Sequence, residues 1–97
     1  MDLKEQIKHS LSIVDVVGRY VSLKPAGKNY KGLCPFHTEK TPSFFVMPEK
    51  SSYTCFGCNQ FGDVFSIVME MEKLSFTEAM NFLIDNYNLN IEKKQFK

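Results

Sequence analysis

The stretch that decides the fold is Cys34-Pro35-Phe36-His37, followed after seventeen residues by Cys55-Phe56-Gly57-Cys58. Two pairs of ligand-type side chains, each separated by two residues, offer four soft or borderline donors. A two-residue gap lets both members of a pair reach one ion from a tight turn whose backbone N–H groups point at the sulfur. Seventeen residues leave room for one hairpin, which sets the second turn beside the first. This is the pattern of a zinc ribbon, with Cys34, His37, Cys55 and Cys58 at four tetrahedral corners. The chain has three cysteines, an odd count that would strand one thiol in a closed disulfide framework. With His37 as the fourth ligand the count is explained. A redox disulfide between Cys55 and Cys58 and ligation of an iron–sulfur cluster are the alternatives, and a lone imidazole among three thiolates suits zinc better than iron. With all four positions supplied by protein, no place is left for an activated water, so the ion is structural.

The rest of the chain fits a small stapled domain. Ninety-seven residues allow one compact domain. Hydrophobic residues make up 43% of the chain and aromatics 13%, enough to fold. A domain of this size buries only ~60–65% of its unfolded surface, so a metal cross-link has a role to fill. Twelve Lys and Arg against eleven Asp and Glu give a formal charge of +1. That excludes an acidic tail and a uniformly polybasic arm. Divided by segment, the charge is −1 over 1–18, +4 over 19–50 and −2 over 51–97, and nine of thirteen aromatics lie between Tyr20 and Phe65. No signal-peptide pattern opens the chain, and no apolar run approaches the ~20 residues of a membrane span. The expectation is a soluble protein in a reducing cytoplasm. The ending Gln95-Phe96-Lys97 has no evident stop, which suggests a piece of something longer. There is no phosphate-binding glycine loop and no nucleophile elbow, so the chain is not a self-contained enzyme. His9, in the first helix, reads as a surface residue.

The hydrophobic period gives an α+β architecture: a small antiparallel sheet carrying the zinc ribbon, flanked by N-terminal and C-terminal helices. Segment 1–18 is a helical lead-in, with Asp2 capping a helix that places Leu3 and Ile7 on one face. Ser12 caps a second short helix that Gly18 stops. Segment 19–62 is the zinc-ribbon sheet. Residues 20–23 alternate, Pro25-Ala26-Gly27 turns, and 29–33, 44–47 and 52–56 are extended around a turn at 48–51. Segment 63–90 is a pair of packed helices. Asp63 caps the first, with Val64, Ile67, Val68 and Met71 at helical spacing. Ser75-Phe76-Thr77-Glu78 is a capping box for the second, with Phe76, Ala79, Met80, Leu83 and Tyr87 in one stripe.

Lys24, Lys28, Lys31, Lys40 and Lys50 lie on or beside the sheet, interleaved with Tyr30, Phe44, Phe45 and Tyr53. Alternate side chains of a strand share a face, so Phe44 and Phe45 point oppositely, as do Tyr30 and Lys31. Lysines that track a backbone beside aromatic platforms suit single-stranded nucleic acid, with Tyr30, Phe45 and Tyr53 as candidate stacking groups. Solubilising lysines over an aromatic core fit the composition equally well.

Beyond the four ligands, the run Asn29-Tyr30-Lys31-Gly32-Leu33-Cys34-Pro35-Phe36-His37, then Glu39-Lys40-Thr41-Pro42-Ser43-Phe44, then Cys55-Phe56-Gly57-Cys58 resembles the N-terminal zinc-binding domain of bacterial DnaG-type DNA primases. Ile13-Val14-Asp15-Val16-Val17 and the C-terminal helices extend the resemblance over nearly the whole chain. The resemblance implies one structural Zn2+ and a domain that recognises single-stranded template DNA where an RNA primer begins. The primer-synthesising polymerase domain with its Mg2+, and the domain that meets the replicative helicase, would lie outside these residues, at the replication fork in the cytoplasm. The family's DNA-contacting positions fall on Lys24, Lys28, Lys40, Pro42 and Lys50. Arginine is common where Lys28 stands; a point charge replaces a planar fork there. The family's glycine-rich stretch after the second turn is replaced by Asn59-Gln60-Phe61-Gly62. The alternative role is a docking module that regulates the polymerase domain without reading DNA.

Overall fold

The computed structural model describes residues 2–36 and 42–91. Two short helices come first, α1 (Leu3–Ser10) and α2 (Ile13–Val17). The Asp2 carboxylate accepts from the Glu5 N–H at 2.9 Å, satisfying one of the orphan donors of a helix start. Ser12 holds the extended N-cap backbone of α2, but its side chain makes no capping hydrogen bond. These helices face inward through Ile7 and through Ile13, Val16 and Val17.

Five antiparallel strands follow in chain order: β1 (Lys24–Ala26), β2 (Asn29–Gly32), β3 (Phe44–Met47), β4 (Ser52–Cys55) and β5 (Phe61–Gly62). A 3-10 turn at Pro48–Lys50 joins β3 to β4. The alternating residues 20–23 are not a strand. The Tyr20 and Val21 N–H groups both donate to the Val17 carbonyl at 2.9 Å, so the turn that ends α2 holds their backbone. Pro25 and Ala26 are strand rather than turn. Ala26 pairs with Asn29, which leaves Gly27-Lys28 as a two-residue hairpin loop, with Gly27 supplying the positive φ of 68°. Pro25 is tolerated because β1 is an edge strand and needs fewer donors.

The register divides the sheet into two faces. Pro25, Tyr30, Val46, Tyr53 and Gly62 pair across the strands into one row, and Gly32, Phe44 and Cys55 into another. Phe44, Val46, Tyr53 and Cys55 are each at most 2% exposed, so this face is the core. It is covered by α2, which packs on β3, and by α3 (Val64–Glu72), which packs on β5. Behind them α4 (Phe76–Asn86) packs on α1 and α3.

Asp63 begins α3 by accepting from the Phe65 and Ser66 N–H groups at 3.0 and 3.2 Å. Its other oxygen lies 3.7 Å from the Lys8 ammonium, which ties α1 to α3. The capping box of α4 is complete, with Ser75 Oγ accepting from the Glu78 N–H at 3.2 Å and Glu78 Oε1 accepting from the Ser75 N–H at 2.9 Å. The bond from the Ser75 backbone holds the Glu78 carboxyl below its ordinary range. Within the α4 stripe Ala79, Met80 and Leu83 are buried together with Ile84, while Phe76 sits at the margin, 38% exposed.

Gly32 brings β2 against the segment before β1. A Cβ there would lie 2.7 Å from the Ser22 carbonyl oxygen and 2.8 Å from Val21 Cγ1, closer than packed atoms allow. Gly32→Ala is expected to cost about 1–3 kcal/mol, read as a lower urea midpoint with an unchanged slope. An unchanged midpoint would contradict this packing.

Candidate metal centre and nucleic-acid interface

The two ends of the hairpin β3–β4 and the end of β2 converge on three thiols. Cys34 follows β2, Cys55 closes β4 and Cys58 lies in the turn beyond it. The three Sγ atoms all lie within 4.8 Å of one another, and Cys34 Sγ is 3.7 Å from Cys58 Sγ. Two sulfurs each ~2.3 Å from one tetrahedral ion would stand about 3.8 Å apart. A disulfide needs a sulfur separation of ~2.05 Å, and all three cysteines are free, so the redox pair Cys55–Cys58 is not formed. Cys34 and Cys55 are buried and Cys58 is half-buried.

Each turn aims backbone donors at sulfur. The Phe36 N–H donates to Cys34 Sγ at 3.4 Å. Burial pushes the Cys34 thiol up to about 12, with the Phe36 N–H opposing it. Burial also pushes Cys55 up. There, hydrogen bonds from the Ser43 hydroxyl and from the Cys58 and Gly57 N–H groups outweigh it and hold the thiol below its ordinary value. The Ser43 hydroxyl stands 3.6 Å from Cys55 Sγ. After Cys58 the chain reverses at Asn59, whose φ is 61° and whose N–H donates to the Cys55 carbonyl at 2.8 Å. Asparagine fills a position that favours glycine because it tolerates the left-handed region. Donor type, separation and N–H support all fit a tetrahedral zinc site.

The first turn is seated by aromatics. Phe36 meets Phe44 edge-on at 6.2 Å and Tyr53 at 6.0 Å, and Phe44 stacks on Tyr53 at 5.1 Å. Phe44 and Tyr53 are core residues, Phe36 packs against them, and Phe44 pairs directly with Cys55.

On the opposite face, Lys24 pairs with Lys31, Lys31 with Phe45, Phe45 with Thr54 and Thr54 with Phe61. Lys24 and Lys31 are exposed, and Phe61 is 77% exposed. Beside the first turn lies an open groove of about 520 Å³ lined by Tyr20, Val21, Lys24, Lys31, Leu33 and Pro42 among others. At the other end of the hairpins, the exposed Lys28 ammonium lies 3.6 Å from Glu49, next to Lys50 in the 3-10 turn.

A family model described as the CHC2 zinc finger, of the DnaG zinc-ribbon type, matches residues 1–97. The chain belongs to the CHC2 zinc finger family. It is similar to the DNA primase of Listeria innocua, 49% identical over 88 residues that make up 91% of this chain and 14% of that protein. The DNA primase of Clostridium acetobutylicum is 46% identical over 96 residues, covering 99% of this chain and 16% of the relative. The chain thus spans about a seventh of the length of these relatives. A crystal structure of the Aquifex aeolicus primase, containing its zinc-binding and RNA polymerase domains, superposes with a TM-score of 0.86 at 36% identity, covering 95% of this chain and 23% of that one. Among the described residues, no helix is long and apolar enough to cross a membrane.

In this CHC2 domain the structure brings together Cys34, Cys55 and Cys58 on one side, and Lys24 and Pro42 around one groove. Lys28, ion-paired with Glu49, and Lys50 lie in the two hairpin loops and do not line that groove. His37 and Lys40 lie outside the described residues. Of the three candidate stacking groups, only Phe45 stands on the open face. Tyr53 is 2% exposed and stacked on Phe44, so it cannot meet a base. Tyr30 is in the same core-facing row, half-buried against the core. Sequence reasoning marks Phe61 as an exposed or partner-facing aromatic, which its 77% exposure bears out, but not as a stacking group, and it did not anticipate β5, a strand of two residues, too short to show a period. Its one clue was a bulky aromatic in an otherwise small, polar stretch.

Proposed function

We propose that this CHC2 domain reads single-stranded template DNA at primer initiation sites, as the N-terminal part of a longer DNA primase. The supporting observation is the match to the CHC2 family over residues 1–97, with curated relatives that are DNA primases. Zinc, when bound, would be held by Cys34, His37, Cys55 and Cys58, in the Cys-His-Cys-Cys order of the family name, and would supply a structural cross-link. The residues of the chain then act as a surface. Lys24, Lys28, Lys40 and Lys50 attract phosphates, and Pro42 and Phe45 stand against bases. Nucleotide polymerisation with its Mg2+ belongs to a polymerase domain of the same or a neighbouring primase, and contact with the replicative helicase to a further domain. The chain is organised for this as a helical lead-in (1–18), a zinc-ribbon sheet (19–62) and two packed helices (63–90).

Because the metal cross-link carries folding free energy, a strong chelator is expected to abolish the cooperative thermal unfolding of the sheet. An unchanged melt after confirmed metal removal contradicts a structural zinc. Ser43→Ala removes the hydroxyl at Cys55 and is expected to weaken Zn2+ binding by about 10–100-fold in competition with a chromophoric chelator, the usual effect of losing an outer partner. Lys40→Ala and Lys50→Ala in the full-length protein are expected to depress primer synthesis without lowering the melting temperature. They should also lower the salt dependence of oligonucleotide binding, by about 0.7 in the log–log slope for each phosphate no longer neutralised. Wild-type priming by these variants removes the two lysines from the DNA surface.

A further inference from the structure

One cross-strand row crosses the open face of the sheet from edge to edge: Lys24, Lys31, Phe45, Thr54 and Phe61. Cross-strand partners point to the same face, so these five side chains stand in line over four inter-strand steps, about 19 Å. The row has a cationic half and an aromatic half. Lys24 and Lys31 face each other directly, an arrangement that destabilises a sheet through like-charge repulsion. Among the described residues, neither has a carboxylate in ion-pair range. An anion between them would relieve that repulsion. In the aromatic half Phe61 is 77% exposed and Phe56 69%. Phe56 braces Phe45 edge to face, their ring centroids 5.5 Å apart. Thr54 stands between Phe45 and Phe61 in the row. The exposed Phe61 and the half-buried Phe45, in register with two exposed lysines, supply the two elements of a single-strand surface: stacking platforms and phosphate holders.

We propose that this row is a stacking track for single-stranded DNA, in which Phe45 and Phe61 each carry one base while Lys24 and Lys31 hold the adjoining phosphates. Phe45 and Phe61 are separated by two strand spacings, about 10 Å. That is well beyond the ~3.4 Å rise of stacked bases, so the bound strand is drawn out, with one base on each ring rather than a continuous stack. The proposal rests on the reading of the domain as a template-DNA reader and assigns a base-contacting role to Phe61. The apolar rings alone would equally suit a protein partner. The facing lysines at the other end of the same row favour a polyanion.

The test measures binding of a fluorescently labelled single-stranded oligonucleotide by anisotropy, using full-length, zinc-loaded protein. Phe61→Ala and Phe45→Ala are each expected to weaken binding by about 5- to 150-fold, the effect of losing one stacked base, with the salt slope unchanged. Lys24→Ala is expected to lower that slope by about 0.7. Phe61→Trp should retain binding, and Phe61→Leu should not, because leucine keeps the apolar volume but loses the ring face. An abasic site placed at the stacked position should cost wild type the same factor and cost Phe61→Ala nothing more. If Lys24→Ala weakens binding while both phenylalanine variants bind as wild type, the track is wrong and the reader stands. If none of the three variants affects binding by a wild type that does bind, the track is wrong; if the wild type itself binds no single-stranded oligonucleotide, both readings fall. Full binding by Phe61→Leu also overturns the track, since it marks a simple apolar contact of the kind a docking protein would make.

Discussion

The constraint on which the structure depends is the convergence of three thiols at one end of a small sheet. Cys55 is the last residue of β4, and its pairing with Phe44 and, through β3, with Gly32 fixes where β2 must end. Cys34, two residues past Gly32, is thereby delivered to the same point. The two-residue gap then places Cys58 within reach, 3.7 Å from Cys34. Strands only two to four residues long hold little by themselves, and the sheet depends on its buried apolar face and the helices packed on it. A cross-link joining β2 to β4 across β3 is placed where it restrains all three central strands at once.

The same register assigns the two faces their separate work. With Phe44 and Cys55 committed to the interior, the alternation sends Phe45 and Thr54 outward and brings Lys31, Lys24 and Phe61 into line with them. The inner aromatics, Phe36, Phe44 and Tyr53, support the metal turn. The outer ones are free to meet a ligand. A slip of one residue would exchange the two sets, burying lysines and exposing the core, so site and surface stand or fall with one pairing scheme.

Much of this was legible from local sequence. The spacing of Cys34, Cys55 and Cys58 announced the cluster, Asp63 and the Ser75/Glu78 box announced the C-terminal helices, and the neighbours Phe44 and Phe45 were bound to point oppositely. What escaped depended on pairing between strands. Tyr53 looks available from composition, yet it lies two residues before Cys55 and so shares that ligand's inward face. Tyr30 is placed inside by its partner Val46. Residues 20–23 have a strand's alternation, but the hydrogen bonds of Tyr20 and Val21 to Val17 claim their backbone first. β5 exists only because Phe61 and Gly62 find Thr54 and Tyr53, and Phe61 gains its position on the open face from that pairing alone.

The central claim is that the thiols hold a structural zinc together with His37. X-ray absorption at the zinc edge, on protein purified without added chelator, tests it most directly. The account predicts one zinc per chain, with three sulfur neighbours at about 2.3 Å and one nitrogen at about 2.0–2.1 Å. Zinc-free folded protein, or a shell completed by water oxygen in place of the nitrogen, would contradict it.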